Sequence, residues 1–133
     1  MAAGGIAWSL HSLGNAAHSV GASAAARTLL QESLCLFREL ADRKGVAESL
    51  GGLTTVLLAQ AEVPKSARLW GAAHTLRESI GAPLSPLGRE KQDRQIAQAR
   101  LAMGAEAFTA AWKEGRRLTW EQAVSYALEE ASA

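Results

Sequence analysis

The chain has 133 residues, a net charge of +1 and a single cysteine, Cys35. That length suits one domain (1–133) that buries about two-thirds of its unfolded surface without staples. The charge excludes the global basic field that drives non-specific nucleic-acid binding, and one cysteine excludes an intramolecular disulfide. Residues 1–5 lack a basic n-region, and His11, Asn15 and His18 interrupt the nearby apolar run. Neither a signal peptide nor a membrane span is expected, and the chain reads as soluble and cytoplasmic. Three prolines and a single short β-branched run, Thr54-Thr55-Val56, predict an all-α fold.

Helix one is expected over Gly5 to Val20. Its apolar stripe Ile6, Leu10, Leu13, Ala17 is spaced i, i+4, i+7, i+11. Gly21 ends it, and Ser23 reads as the cap of helix two, Ala24 to Arg43, with Ala26, Leu30, Leu34, Phe37 and Ala41 on one side. Forty residues after the first stripe comes its copy: Val46, Leu50, Leu53, Leu57 in helix three, Val46 to Ala61. A helical stripe repeated at a fixed period is the mark of a repeat array. Helix four, Lys65 to Ile80, follows Val63-Pro64. Its Ala67-Arg68 aligns with Ala26-Arg27 at a shift of 41, which reads as one loop residue gained. Gly71 and Ala72 predict the close approach of another helix. Repeat one is thus 5–44 and repeat two 45–82.

The pattern changes at Gly81-Ala82-Pro83-Leu84-Ser85-Pro86. Ser85 as cap and Pro86 at the first helical position open helix five, Pro86 to Met103. Gly104 breaks it. Helix six, Ala105 to Glu114, carries Ala107, Phe108, Ala111 and Trp112 on one face and is stopped by Gly115. Thr119-Trp120-Glu121-Gln122 is a capping box that opens helix seven. The terminal unit of an array must differ from inner ones because its outer face meets water, so segment 85–132 is assigned as a three-helix C-terminal cap. No equivalent cap precedes helix one. Its flank is expected to carry further repeats or to pack on another subunit.

Leu13-Gly14, Ala17 and Ala26 resemble the tetratricopeptide-type repeat, with a weaker second copy in which Thr54 follows Leu53. Residues 31–43, Ala67 to Ala73 and Leu76 to Leu84 are similar to the C-terminal repeat region of LuxR/ATPase-type bacterial transcriptional regulators. The ending from Ala107 through Trp112 and Gly115 to Ala123 is similar too. The resemblance implies a right-handed, tetratricopeptide-like solenoid of two repeats plus a cap, about seven helices. It also implies a role in transcription regulation or signalling. The chain carries no Gly-x4-Gly-Lys-Ser/Thr loop, so it would be the sensing or scaffolding end of such a regulator.

In such arrays the first helix of each repeat lines the concave face. The stripe beside the packing residues is Trp8, His11, Asn15 and His18 in helix one, and Glu48, Gly51, Thr55 and Leu58 forty residues on. An aromatic anchor with imidazoles and an amide suits a peptide partner. The plainer reading is that Trp8 packs on a neighbouring helix and the histidines are solvated. His11 and His18 lie two turns apart, about 10 Å by helix rise, too far to share one metal. His-x3-His and Cys-x2-Cys pairs are absent, so no metal and no cofactor is expected. Cys35, flanked by Leu34 and Leu36, reads as structural. Lys113, Arg116 and Arg117 fit the dipole of helix six better than a DNA contact, since helix seven carries no lysine or arginine.

The expected function is therefore a non-catalytic protein–protein interaction or scaffolding domain. Its partner would be a protein or peptide, a homodimer through helices one and two being one form, with no nucleic acid and no membrane. The alternative is a small-ligand sensor whose pocket, between repeat two and helices five to seven, is walled by Trp70, Trp112 and Trp120.

Overall fold

The computed structural model describes residues 2–130, which hold seven helices and no strand. They are α1 (Ala2–Ser19), α2 (Ser23–Glu39), α3 (Arg43–Ala59), α4 (Val63–Ile80), α5 (Pro86–Met103), α6 (Ala105–Arg116) and α7 (Trp120–Ala127). Residues 131 and 132 of the C-terminal segment lie outside the described residues.

The first four helices end alike. Gly21, Ala41, Ala61 and Gly81 stand twenty residues apart, with φ of 81°, 52°, 63° and 64°. After each, the next N–H reaches back five residues: Ala22 to the Ala17 carbonyl, Asp42 to Phe37, Glu62 to Leu57, Ala82 to Arg77, all at 2.9–3.0 Å. This left-handed Schellman turn satisfies the last carbonyls and resets the chain direction. α2, α3 and α4 then open at Ser23, Arg43 and Val63, also twenty apart. The unit is thus a twenty-residue helix-and-turn used four times. The loop residue inferred from Ala67-Arg68 is not there. Ser66, not Ala67, stands where Ala26 does, and both are fully buried. A serine is tolerated because its hydroxyl donates to the Thr54 carbonyl at 3.0 Å.

The turn at Ala41 moves two predicted boundaries, and the one at Ala61 moves the end of α3 to Ala59 and the start of α4 to Val63. α2 stops at Glu39 because Ala41 is left-handed. Asp42 then caps α3, its carboxylate accepting the Gly45 N–H at 3.0 Å, so α3 starts three residues early. Ser23 is the first helical residue and not a cap; Ala22 holds that place without a side-chain bond. The predicted cap at Ser85 and the Thr119/Gln122 capping box are both formed.

Val46, Leu50, Leu53 and Leu57 are buried in one core with Leu30, Leu34 and Phe37 of α2. The matching stripe on α1 is not: Ile6 is 52% and Leu13 56% exposed, while Leu10 and Ala17 are half-buried. The cause is position. α3 is covered by α2 and α4, whereas α1 packs on α2 and α3 on its inner side, and among the described residues its outer side lies open. α1 turns small residues inward instead, Ala7 and Gly14. A Cβ on Gly14 would fall 2.7 Å from Leu30 Cγ, so the glycine lets Leu30 enter.

α6 lies along α4 at two glycines. A Cβ on Gly71 would meet the Trp112 carbonyl oxygen at 2.2 Å, and one on Gly115 would meet the Arg68 oxygen at 1.8 Å. Gly115 therefore does not stop α6; the helix runs through it because that position is where the backbones touch. Leu58, Ala67, Trp70, Ala99, Phe108 and Ala111 form a second apolar cluster under α5 and α6. α7 seats Ala123, Val124 and Ala127 in the first cluster, against α2, α3 and α4. Its end is held by charge. Arg38 pairs with Glu130 at 2.7 and 2.9 Å, Lys65 with Glu129 at 2.8 Å, and Arg27 with both Glu62 and Glu129. The Lys65 and Arg27 bonds hold the Glu129 carboxyl below its ordinary range, and Arg38 does the same for Glu130.

Candidate functional site

The polar stripe of α1 is largely consumed by packing. Trp8, 37% exposed, sits edge-on to Phe37 of α2 at 4.9 Å and to His11 at 5.6 Å, as the plainer reading expected of it. The histidines are half-buried and not solvated as that reading also expected. His11 Nδ1 lies 3.2 Å from Ser49 Oγ, and Asn15 Nδ2 lies 3.1 Å from His11 Nε2. Ser49 Oγ is 2.9 Å from Ser33 Oγ, and the Ser33 hydroxyl donates to the Leu30 carbonyl at 2.8 Å. One direction of donation satisfies every member. The Asn15 amide donates to Nε2, Nδ1–H to Ser49, Ser49 to Ser33, and Ser33 to the backbone. This chain ties α1 to α3 and α2. Burial pushes the His11 pKa below its ordinary value of 6.5, with the Glu48 charge pulling partly back, so the neutral imidazole the chain requires is the favoured form. Ser49 is fully buried and cannot serve as a nucleophile. Asn15 Oδ1 rests on Gly52, where a Cβ would come within 2.8 Å. His18 Nδ1 is buried and bonds to no group among the described residues.

In the second repeat the stripe is covered. Glu48 accepts from Arg77 at 3.4 Å, and Thr55 Oγ1 lies 3.2 Å from Gln95 Oε1 of α5. Leu58 is buried in the second cluster, and Gly51 faces the Arg77 guanidinium. The expected concave stripe therefore does not run on from Trp8, His11, Asn15 and His18 to Glu48 and Thr55 as one open face. α5 folds back across it, because Ile96 and Ala99 need the cover that Leu58 and Trp70 offer.

A cavity of about 380 Å³ lies between the C-terminal half of α4, the 81–84 segment, α5 and α6. Ala73, Leu84 and Ile96 supply apolar wall, and the Trp112 ring stands beside His74 at 5.4 Å. This is the region expected for the ligand pocket, with one of its three tryptophans. Trp70 does not line it, being buried against Phe108, and Trp120 packs on the core beneath α7. Both rings are spent on joining α6 and α7 to the repeats.

The outer side of α1 is a third surface. Ile6, Leu13 and Val20 are exposed there, Val20 by 80%, and Trp8, Ser9, Ser12, Leu13 and Ala16 line a shallow groove. No lysine, arginine, aspartate or glutamate occurs anywhere in α1. The sequence reading placed Ile6 and Leu13 in the packing stripe, while expecting the flank of helix one to carry further repeats or to pack on another subunit. The signal was present in its copy, which needs a neighbour on each flank. Among the described residues no group of three or more His, Cys, Asp or Glu could hold a metal ion, and no helix is long and apolar enough to cross a membrane. No protein-family model, curated protein or solved structure matches the chain.

Proposed function

We propose that the chain is a non-catalytic, tetratricopeptide-like interaction domain, part of or derived from a bacterial transcriptional or signalling regulator of the cytoplasm. It works by self-association through the outer face of α1. The observation that carries this is the contrast between two copies of one stripe. Val46, Leu50 and Leu53 lie under a neighbouring helix, whereas Ile6 and Leu13 are more than half exposed and Leu10 is only half-buried. A helix without ionic side chains can meet its own copy without charge repulsion, so a two-fold α1–α1 contact is favourable. Head-to-tail stacking of copies is disfavoured because α5 to α7 cover the other end.

Burying Ile6, Leu13 and, just past the helix, Val20 on both copies supplies on the order of 10 kcal/mol. Association costs at least about 4 kcal/mol of this, which leaves a weak dimer of about tens of micromolar strength. Sedimentation velocity over a concentration series tests it. The wild type and Leu101→Glu, a control at a leucine 89% exposed on α5, dimerise at tens of micromolar, and Leu13→Glu stays monomeric. A wild type that is monomeric throughout, or equal behaviour of the two variants, overturns the reading.

The cavity beside Trp112 favours a second reading, a small-ligand sensor. Its volume falls within the range of about 300–1,000 Å³ typical of ligand sites.

A further inference from the structure

The charged groups around the cavity divide into two sets. Arg77 is matched by Glu48 at 3.4 Å, and it also donates to the Ala47 and Ala82 carbonyls. Glu78 is matched by Arg116 at 2.7 Å, with His74 at 3.7 Å. These two are satisfied within the fold. Arg89 and Asp93 also line the cavity, both exposed, and neither forms an ion pair among the described residues. They stand one turn apart on α5, on the same face.

Their failure to pair with each other has a physical reason. At i, i+4 the favourable order puts the acid N-terminal to the base. Glu90 and Arg94 have that order and meet at 3.7 Å. Arg89 and Asp93 have the reverse order, in which even a formed pair contributes only a few tenths of a kcal/mol in water. The rim of the cavity thus presents one cation and one anion side by side. The wall behind them is apolar, with Ala73, Leu84, Ile96 and the Trp112 ring.

The geometry points to a free amino acid with an apolar or aromatic side chain as the ligand of this cavity. Arg89 takes its carboxylate, Asp93 its ammonium, and the side chain lies against Trp112 and Ile96. A simple anion would leave Asp93 beside like charge, and a simple cation would do the same to Arg89. The zwitterion complements both, and the aromatic wall adds stacking. This inference rests on the sensor reading and is independent of α1 association.

Isothermal titration calorimetry with L-phenylalanine, 3-phenylpropionate and phenethylamine tests it, the last two each lacking one charge. L-Phenylalanine binds, and each analogue binds at least about tenfold more weakly. Arg89→Gln removes the preference over phenethylamine, and Asp93→Asn removes the preference over 3-phenylpropionate. Both positions are exposed, so unchanged thermal midpoints show that the variants fold. Equal binding of either analogue to the wild type overturns the inference. So does L-phenylalanine binding that neither variant weakens. No heat from L-phenylalanine, L-leucine or L-methionine up to millimolar concentration overturns it too. A thermal-shift screen separates the two levels. A ligand of another class whose stabilisation is lost in Arg89→Gln sinks the amino-acid assignment and keeps the sensor, while no shift from any compound removes both.

Discussion

Replacing Gly115 by alanine tests the α4–α6 contact, and the expected loss can be worked from the backbone. Intrinsic propensity alone favours the change, since alanine inside a helix is about 1 kcal/mol better than glycine. Against that, the new Cβ would lie 1.8 Å from the Arg68 carbonyl oxygen and 2.6 Å from its carbon. Those are backbone atoms of α4 and cannot rotate away. Relief requires α6 to retreat by more than an ångström, which loosens Phe108, Ala111 and Trp112 in the second cluster. Overpacking of this kind costs about 1–3 kcal/mol, and more when backbone must move, so a net loss of about 2–4 kcal/mol is expected. For a chain this size that lowers Tm by roughly 10 °C.

Gly71→Ala, whose Cβ would come 2.2 Å from the Trp112 oxygen, should fall in the same range. Gly51→Ala is the control: its Cβ would find only the Arg77 guanidinium at 3.7 Å, ordinary contact, so it should gain up to about 1 kcal/mol. Urea unfolding followed by circular dichroism measures all three. Gly115→Ala matching the wild type, or Gly51→Ala losing as much as Gly115→Ala, would refute the reasoning.

Ala41→Gly and Ala61→Gly should each stabilise by about 0.5–1 kcal/mol, read from unfolding midpoints, because alanine bears a left-handed penalty that glycine does not. Stability should fall as pH drops below about 6.5, because the unfolded chain protonates His11 at a pH where the folded chain still resists it. His11→Gln should flatten that limb when unfolding midpoints at about pH 7.5 and about pH 5.5 are compared. A separate loss should appear below the ordinary carboxylate range. Glu129 and Glu130 have depressed values, so their stabilisation is present above that range and disappears as pH falls through the folded values. Arg27→Gln removes the shared partner of Glu62 and Glu129, and amide hydrogen exchange in α7 should rise more than in α3.

The helix count, the two hairpins and most caps were legible because they rest on local signals: glycines at 21, 81 and 104, Ser85-Pro86, and the Thr119 capping box. The twenty-residue period was harder to see, because alanines fill two of its four left-handed turns. Nothing local in Ala41 or Ala61 announces positive φ; both are exposed, and the conformation goes with the turn bonds Asp42 to Phe37 and Glu62 to Leu57. The misread stripe on α1 has a different cause. Ile6 and Leu13 carry the same pattern as Val46 and Leu53, and periodicity reports a face that wants cover without saying whether cover exists. Trp70 and Trp120 were read as pocket walls by residue type alone, while their places were decided by how α6 and α7 dock. The ion pairs joining Arg27 and Arg38 to Glu129 and Glu130 span about ninety residues or more, and no spacing rule reaches that far.

Cross-linking tests the α1 face most directly. In a Cys35→Ser background, Ser12→Cys places a thiol on the outer side of α1, and Ala110→Cys places one on exposed α6. A short bismaleimide should join Ser12→Cys chains into covalent dimers at tens of micromolar, leave Ala110→Cys chains monomeric, and lose its yield when Leu13→Glu is added. Equal yields at the two positions, or none at Ser12→Cys, would contradict association through α1.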